Sequence, residues 1–168
     1  NDLSDFTNVK RNGKIAMKLP EGITLVNAAI ADENDDIMLV TEAGRAIRFS
    51  TTEIRVFKSR GSTGVRGIRL ADGDHVVSMS IIRHFEADPA EREAYLKQRR
   101  LMAGVTDDEP SDDEEETVPA GQLSPERYAE MSAAEDLILT VTKGGSGKLS
   151  SSHDYPVRGR GGMGVKAI

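Results

Sequence analysis

The sequence predicts an all-β fold of propeller-like blades, about four strands to a blade, interrupted by a partly helical acidic insertion. Three observations carry that prediction: an internal repeat, short β-rich runs separated by glycine turns, and one segment whose composition breaks with everything around it.

The repeat comes first because it fixes the unit. GKIAMKLPEGITLV, from Gly13, aligns with GVRGIRLADGDHVV, from Gly64, so that Gly13 meets Gly64, Met17 meets Ile68, Lys18 meets Arg69, Leu19 meets Leu70 and Gly22 meets Gly73, always 51 positions apart. DIMLVTEAGRAIRF, from Asp36, aligns with DLILTVTKGGSGKLS, from Asp136, and GVRGI, from Gly64, with GVKAI, from Gly164. These last matches lie about 100 apart, which is two periods or one period plus an insertion.

Within one unit, IMLVT from Ile37 and RAIRF from Arg45 flank Glu42, Ala43 and Gly44, the pattern of a hairpin with a tight glycine turn. VRGIRL from Val65 and VVSMSII from Val76 predict a second pair around Ala71, Asp72, Gly73 and Asp74. FKSRGST between the pairs reads as a basic, glycine-containing loop. Four strands in about 50 residues is the period of a propeller blade, whereas leucine-rich and ankyrin repeats are shorter and contain helices.

Residues 83–134 lack every signature of the repeat. Asp88 and Pro89 predict a helix through PAEREAYLKQRRLMA, with Gly104 as its stop, and Ser124 with Pro125 predict a second through ERYAEMSAA. Between them, eight of the ten residues from Asp107 to Glu116 are acidic, a composition expected to be solvated and disordered. The chain therefore divides into the end of one blade at 1–34, a complete blade at 35–82, the insertion at 83–134 and a truncated following blade at 135–168.

Charge follows the same division. The net charge of −6 is unpromising for a nucleic-acid partner, but the insertion holds 6 basic and 14 acidic residues and the rest of the chain 16 basic and 14 acidic, a net of +2. The repeat cations recur at one phase of the period: Lys10, Arg11, Lys14 and Lys18; then Arg45, Arg48, Arg55, Lys58, Arg60, Arg66 and Arg69; then Lys143, Lys148, Arg158, Arg160 and Lys166. Equivalent repeats would place each set on the same face of its blade, and the forked guanidinium suits phosphate oxygens. Cations guarding β-sheet edges give the simpler alternative.

Cysteine is absent, which excludes disulfides, thiolate metal sites and thiol nucleophiles and fits a reducing cytoplasm. No apolar run reaches membrane-spanning length, and NDLSDFTNVK has neither the basic start nor the apolar stretch of a secretion signal. His75, His84 and His153 have no metal-ligand spacing.

VTEAGRAIRFSTTEIRVFKSRGSTGVRGIRLADGDHVVSM, with GKIAMKL before it and GGSGK and GVKAI after it, is similar to the family of C-terminal domains of DNA gyrase A subunits. The resemblance covers residues 1–82 and 135–168. It implies a β-pinwheel, a relative of the propeller whose blades exchange strands, with duplex DNA bent around a basic rim. On that pattern Arg45, Arg48, Lys58, Arg66 and Arg69 match the rim of one blade, and Lys148, Arg158 and Lys166 that of the next; Leu149 stands where the family more often has a basic residue. Arg60, Lys143 and Arg160 join the DNA-binding set from the charge pattern. The resemblance further implies a gyrase B subunit partner, ATP and magnesium elsewhere in the holoenzyme, and a cytoplasmic, nucleoid-associated location. No cofactor is expected in this segment itself. The family's QRRGGKG-type heptapeptide is absent, and Gln98, Arg99 and Arg100 imitate only its opening, so the A-type subunit of topoisomerase IV stays open as an alternative.

Three catalytic look-alikes have simpler readings. Arg127 and Tyr128 reproduce the arginine-tyrosine dipeptide of the family's cleavage site, but that tyrosine belongs to an N-terminal domain. KGGSGKL has Thr142 and Leu149 where a phosphate loop requires glycine and a hydroxyl residue, and reads as a β-turn. SSSHD, from Ser150, offers triad residue types as sequence neighbours, which rarely converge. Two function classes remain: a non-catalytic module that wraps DNA for a supercoiling topoisomerase, and a propeller-like scaffold that binds protein.

Overall fold

The computed structural model describes residues 1–58, 61–104 and 121–168. The acidic run Asp107–Glu116, expected to be disordered, and Arg60 lie outside the described residues. The remainder is mostly β with two helices, in antiparallel sheets that do not close, and it forms two compact units, 1–81 with 157–167 and 82–156.

The first unit is built on a hairpin of β1 (Asp35–Thr41) and β2 (Arg45–Ser50), in register Met38 with Arg48 and Val40 with Ala46. Gly44 turns it at φ 76°, its N–H donating to Thr41 O at 3.0 Å. The sheet order is β3-β1-β2-β6, with β3 (Val76–Arg83) beside β1 and β6 (Val165–Lys166) beside β2. The strand expected at VRGIRL is a correction. Its turn forms, with Asp74 N–H donating to Ala71 O at 3.1 Å, but β3 takes its place next to β1. Residues 67–69 instead face the glycines of a later loop, through Gly161 N–H to Gly67 O at 2.7 Å and Arg69 N–H to Gly162 O at 2.8 Å. That placement puts Ile68 against Ile47 and Phe49, with Ile37, Leu39, Ile54 and Val76 packed around them.

In the second unit, β4 (Leu137–Val141) and β5 (Gly147–Ser151) form a two-stranded sheet. Helix α1 (Pro89–Met102) starts on a capping box of Asp88 and Glu91, and α2 (Pro125–Ala133) on the Ser124 hydroxyl, at the predicted positions. Arg127 ties the helices together, its Nε 2.7 Å from Glu91 Oε1 and its guanidinium also bonding Glu130. His153 is buried, with Nε2 2.9 Å from Met131 O and its ring edge-on to Tyr95 at 5.0 Å and Phe85 at 5.8 Å. The Arg83 guanidinium reaches Ala133 O at 2.8 Å, so the helices are packed on the hairpin as part of its core.

Backbone geometry repeats as faithfully as sequence. Gly22 and Gly73 both sit at φ 78°, and Gly13, Gly64 and Gly164 at 81°, 82° and 70°. Ser50 and Ser151 each cap a one-turn 3-10 helix, Thr51–Glu53 and Ser152–Asp154. Gly44 and Gly145 close equivalent turns onto Thr41 and Thr142. These landmarks set the hairpin offset at 101, so Asp136 corresponds to Asp35 and Leu137 to Asp36. A shift of one residue matters because it moves every side chain to the other face.

Gly164 has a steric as well as a conformational reason to be glycine. A Cβ there would lie 2.3 Å from Ala46 O, so β6 reaches β2 only without a side chain. Gly164→Ala is expected to cost about 2 kcal/mol or more from positive φ and overlap together, read as a lower denaturant midpoint, while Gly22→Ala, with open space around it, costs only the positive-φ strain. In the second unit, Arg127 hydrogen-bonding to Glu91 holds that carboxyl below its ordinary value. Its folded value is depressed, so this contribution is present above the unfolded carboxylate range and is lost as pH falls through the folded value. Acidification below about pH 4.5 is therefore expected to weaken the helical unit, and Glu91→Gln to flatten that part of a stability-against-pH curve.

Candidate nucleic-acid interface

The expected DNA-binding cations fall into three structural situations. Arg45, Lys58, Arg66, Arg69, Arg158 and Lys166 are exposed in the first unit, and Lys143 and Lys148 are exposed on the β4–β5 hairpin of the second. Arg45 and Lys166 are direct partners across the β2–β6 ladder. Arg160 is half-buried, its N–H on Glu53 Oε2 at 2.7 Å and its guanidinium on Arg66 O at 2.7 Å. That second bond carries the Arg160 cation beside the Arg66 backbone. Two pairs of cations thus come together from opposite ends of the sequence, Arg45 with Lys166 and Arg66 with Arg160.

Arg48 is in a different place from the rim expected for it. Its Nε lies 2.7 Å from Asp36 Oδ2, with the two side chains 3% and 0% exposed. A guanidinium committed to a carboxylate inside the sheet is not presented to phosphate, and Arg48 leaves the candidate set. The signal is legible in the hairpin register. Asp36 and Arg48 lie on one face, and at the 101 offset they become Leu137 and Leu149, so the two charges are replaced together. The basic residue missing at Leu149 is the loss of half of a buried ion pair.

The look-alikes also resolve into structure. KGGSGKL is the β4–β5 turn, with Gly145 N–H on Thr142 O at 3.0 Å and Ser146 N–H on Thr142 Oγ1 at 3.1 Å. Tyr128 stacks on Tyr95 with ring centroids 5.0 Å apart, and Arg127 is held by Glu91 and Glu130. The Ser151 hydroxyl accepts from the His153 backbone N–H, a capping bond. Among the described residues no cluster of three His, Cys, Asp or Glu side chains is arranged to hold a metal ion, and no helix is long and apolar enough to cross a membrane.

The family profile described as DNA gyrase C-terminal domain, beta-propeller, matches residues 2–32, 35–83 and 136–168. The chain belongs to this family. Its matched segments skip the helical insertion and include all three copies of the glycine-led repeat. The DNA gyrase A subunit of Granulibacter bethesdensis is 51% identical over the whole chain, which covers 19% of that protein. The Rickettsia bellii protein of the same name is 41% identical over 98% of the chain and 18% of its own length, and the Pseudomonas aeruginosa one 31% identical over 99% and 12%. The chain thus spans about a fifth or less of these relatives. A solved structure of the C-terminal domain of DNA topoisomerase IV aligns with a TM-score of 0.55 over 90% of this chain and 31% of that one, at 18% identity, a likeness of fold.

The buried pair yields a prediction specific to this gyrase family domain. Arg48→Met leaves the Asp36 carboxylate buried without its partner and is expected to destabilise by about 3–5 kcal/mol. Asp36→Leu with Arg48→Leu, which copies the second hairpin, is expected to recover most of that loss. Denaturant titration of the two variants beside the parent gives both values.

Proposed function

We propose that this chain binds duplex DNA without sequence preference and bends it along its exposed cations, as part of the A subunit of a gyrase engaged in ATP-dependent negative supercoiling. The observation that carries the reading is Arg45 directly opposite Lys166. Like charges opposed across a ladder are unfavourable by themselves. A phosphate backbone lying over them turns that cost into attraction and releases counterions. Arg66, Arg69, Arg158 and Arg160 extend the same positive character over the first unit, and Lys58, Lys143 and Lys148 complete the proposed set.

None of these side chains needs to read a base. Bonds to phosphate position the duplex, and the additional ones formed on bending offset the energy of the bend. In the complete enzyme, a gyrase B subunit would supply ATP hydrolysis, magnesium would serve cleavage elsewhere, and the location would be the cytoplasmic nucleoid. The fold likeness to the topoisomerase IV domain keeps that enzyme as the second reading.

Replacing Arg45, Arg66 and Lys166 by glutamate is expected to weaken binding of unrelated duplexes by a common factor and to flatten the slope of log affinity against log salt by roughly 2–3, at about 0.9 for each phosphate no longer neutralised. Fluorescence anisotropy over a salt series measures both. Unchanged affinity, or an effect confined to one DNA sequence, would overturn the assignment and favour a protein-binding scaffold. Supercoiling assays of the complete A subunit carrying the same changes then separate gyrase from topoisomerase IV, because only gyrase introduces negative supercoils.

A further inference from the structure

The β1–β2 hairpin rests in a seat made by later parts of the chain. β3 lines one edge and β6 the other, Val157 bridges to Arg48, and Arg158 N–H donates to Arg48 O at 2.8 Å. The seat is tied across by Arg69 N–H to Gly162 O.

One repeat earlier in the sequence the same seat recurs. Residues 23–30 correspond to β3, Val56 to Val157, and residues 64–67 to 164–167. The tie recurs as Lys18 N–H to Ser62 O at 3.0 Å, and Gly64 keeps the positive φ of Gly164. No hairpin occupies this second seat among the described residues. A Cβ on Gly64 would meet only Met17 Cε, at 3.7 Å, where one on Gly164 would strike Ala46 O. Met17 is 37% exposed while its counterpart Ile68 is 6% exposed, and Ile23, Leu25 and Val56 are more exposed still.

The β4–β5 hairpin is the complementary case, a hairpin without a seat. Among the described residues its sheet has two strands. Leu137, Leu139 and Leu149 are exposed where Asp36, Met38 and Arg48 are buried. The leucines remove the charges that seating would otherwise desolvate.

We propose that the β4–β5 hairpin of one copy of this chain fills the seat at residues 23–30, 56–57 and 64–67 of a second copy. The filled seat is the template. Arg66 then lies opposite Ser146, Val65 opposite Gly147, Phe57 N–H donates to Leu149 O, and Gly67 N–H to Gly145 O, as Lys166, Val165, Arg158 and Ala167 do with the first hairpin. Each strand gains the ladder it lacks, by strand addition at an open edge. Donor and acceptor surfaces differ, so the association is head-to-tail and propagates from copy to copy unless it closes into a ring.

The chain contains no cysteine, so paired reporters are unambiguous. Arg66→Cys and Ser146→Cys variants of the full chain are prepared separately, mixed without DNA and oxidised; directly opposed residues on antiparallel strands lie within disulfide reach. The mixture is expected to give a covalent dimer and each variant alone to give little. Sedimentation of the parent chain is expected to rise with concentration, and Leu149→Asp or Val56→Asp, one change on each side of the interface, to weaken association by at least about tenfold. Circular dichroism checks that each variant stays folded. A parent that is monomeric at every concentration, cross-linking no greater in the mixture than in the single variants, or association untouched by the folded aspartate variants would overturn the proposal. DNA affinity plays no part in the readout, so its outcome is separate from that of the DNA-binding reading.

Discussion

Everything in the first unit depends on how the outer edge of β2 is satisfied. A strand has two hydrogen-bonding edges, and an edge left open to neither water nor backbone is costly. β1 fills one edge of β2, and the other takes β6, more than a hundred residues further on. Gly164 makes that approach possible, Ala167 N–H extends it to Gly44 O at 2.8 Å, and the preceding loop bonds Gly67 and Arg69. A hairpin completed by a distant strand is therefore the structural unit, and sequence repeats are units of composition only.

The same constraint explains how charge is distributed. Edge completion brings Arg45 against Lys166 on the surface, and the loop before β6 brings Arg160 onto the Arg66 carbonyl. The cations of two repeats meet because the backbone of one repeat finishes the sheet of another. Inside the sheet, the same face that carries rim residues at its margin buries Arg48 against Asp36. Exposure, more than residue type, decides which arginine is available to a polyanion and which is part of the core.

The insertion plays a different role from the one its composition suggests. Its helical ends supply Tyr95 and Met131 to the core of the second unit, where His153 binds a helix carbonyl and Arg83 binds another. The β4–β5 hairpin has a polar inner face, with Thr140, Lys148 and Ser150 where the first hairpin has Leu39, Ile47 and Phe49. Packing that would come from an apolar sheet face comes from helices instead.

By itself the sequence determined the elements whose signals are local. Both helices begin at their caps, both hairpins turn at their glycines, and the family follows from the repeat, because capping, positive φ and period depend on a few neighbouring residues. The strand at VRGIRL is misplaced by such reasoning because its run of alternating residues is equally compatible with the glycine loop it pairs with. Arg48 escapes it because burial is set by the covering strand, and only the register of Asp36 across the hairpin reveals the partner. Which strand completes which sheet was decided by tertiary structure alone: a backbone edge has no sequence of its own, so any strand with the right twist and a glycine at the point of closest approach can pair with it.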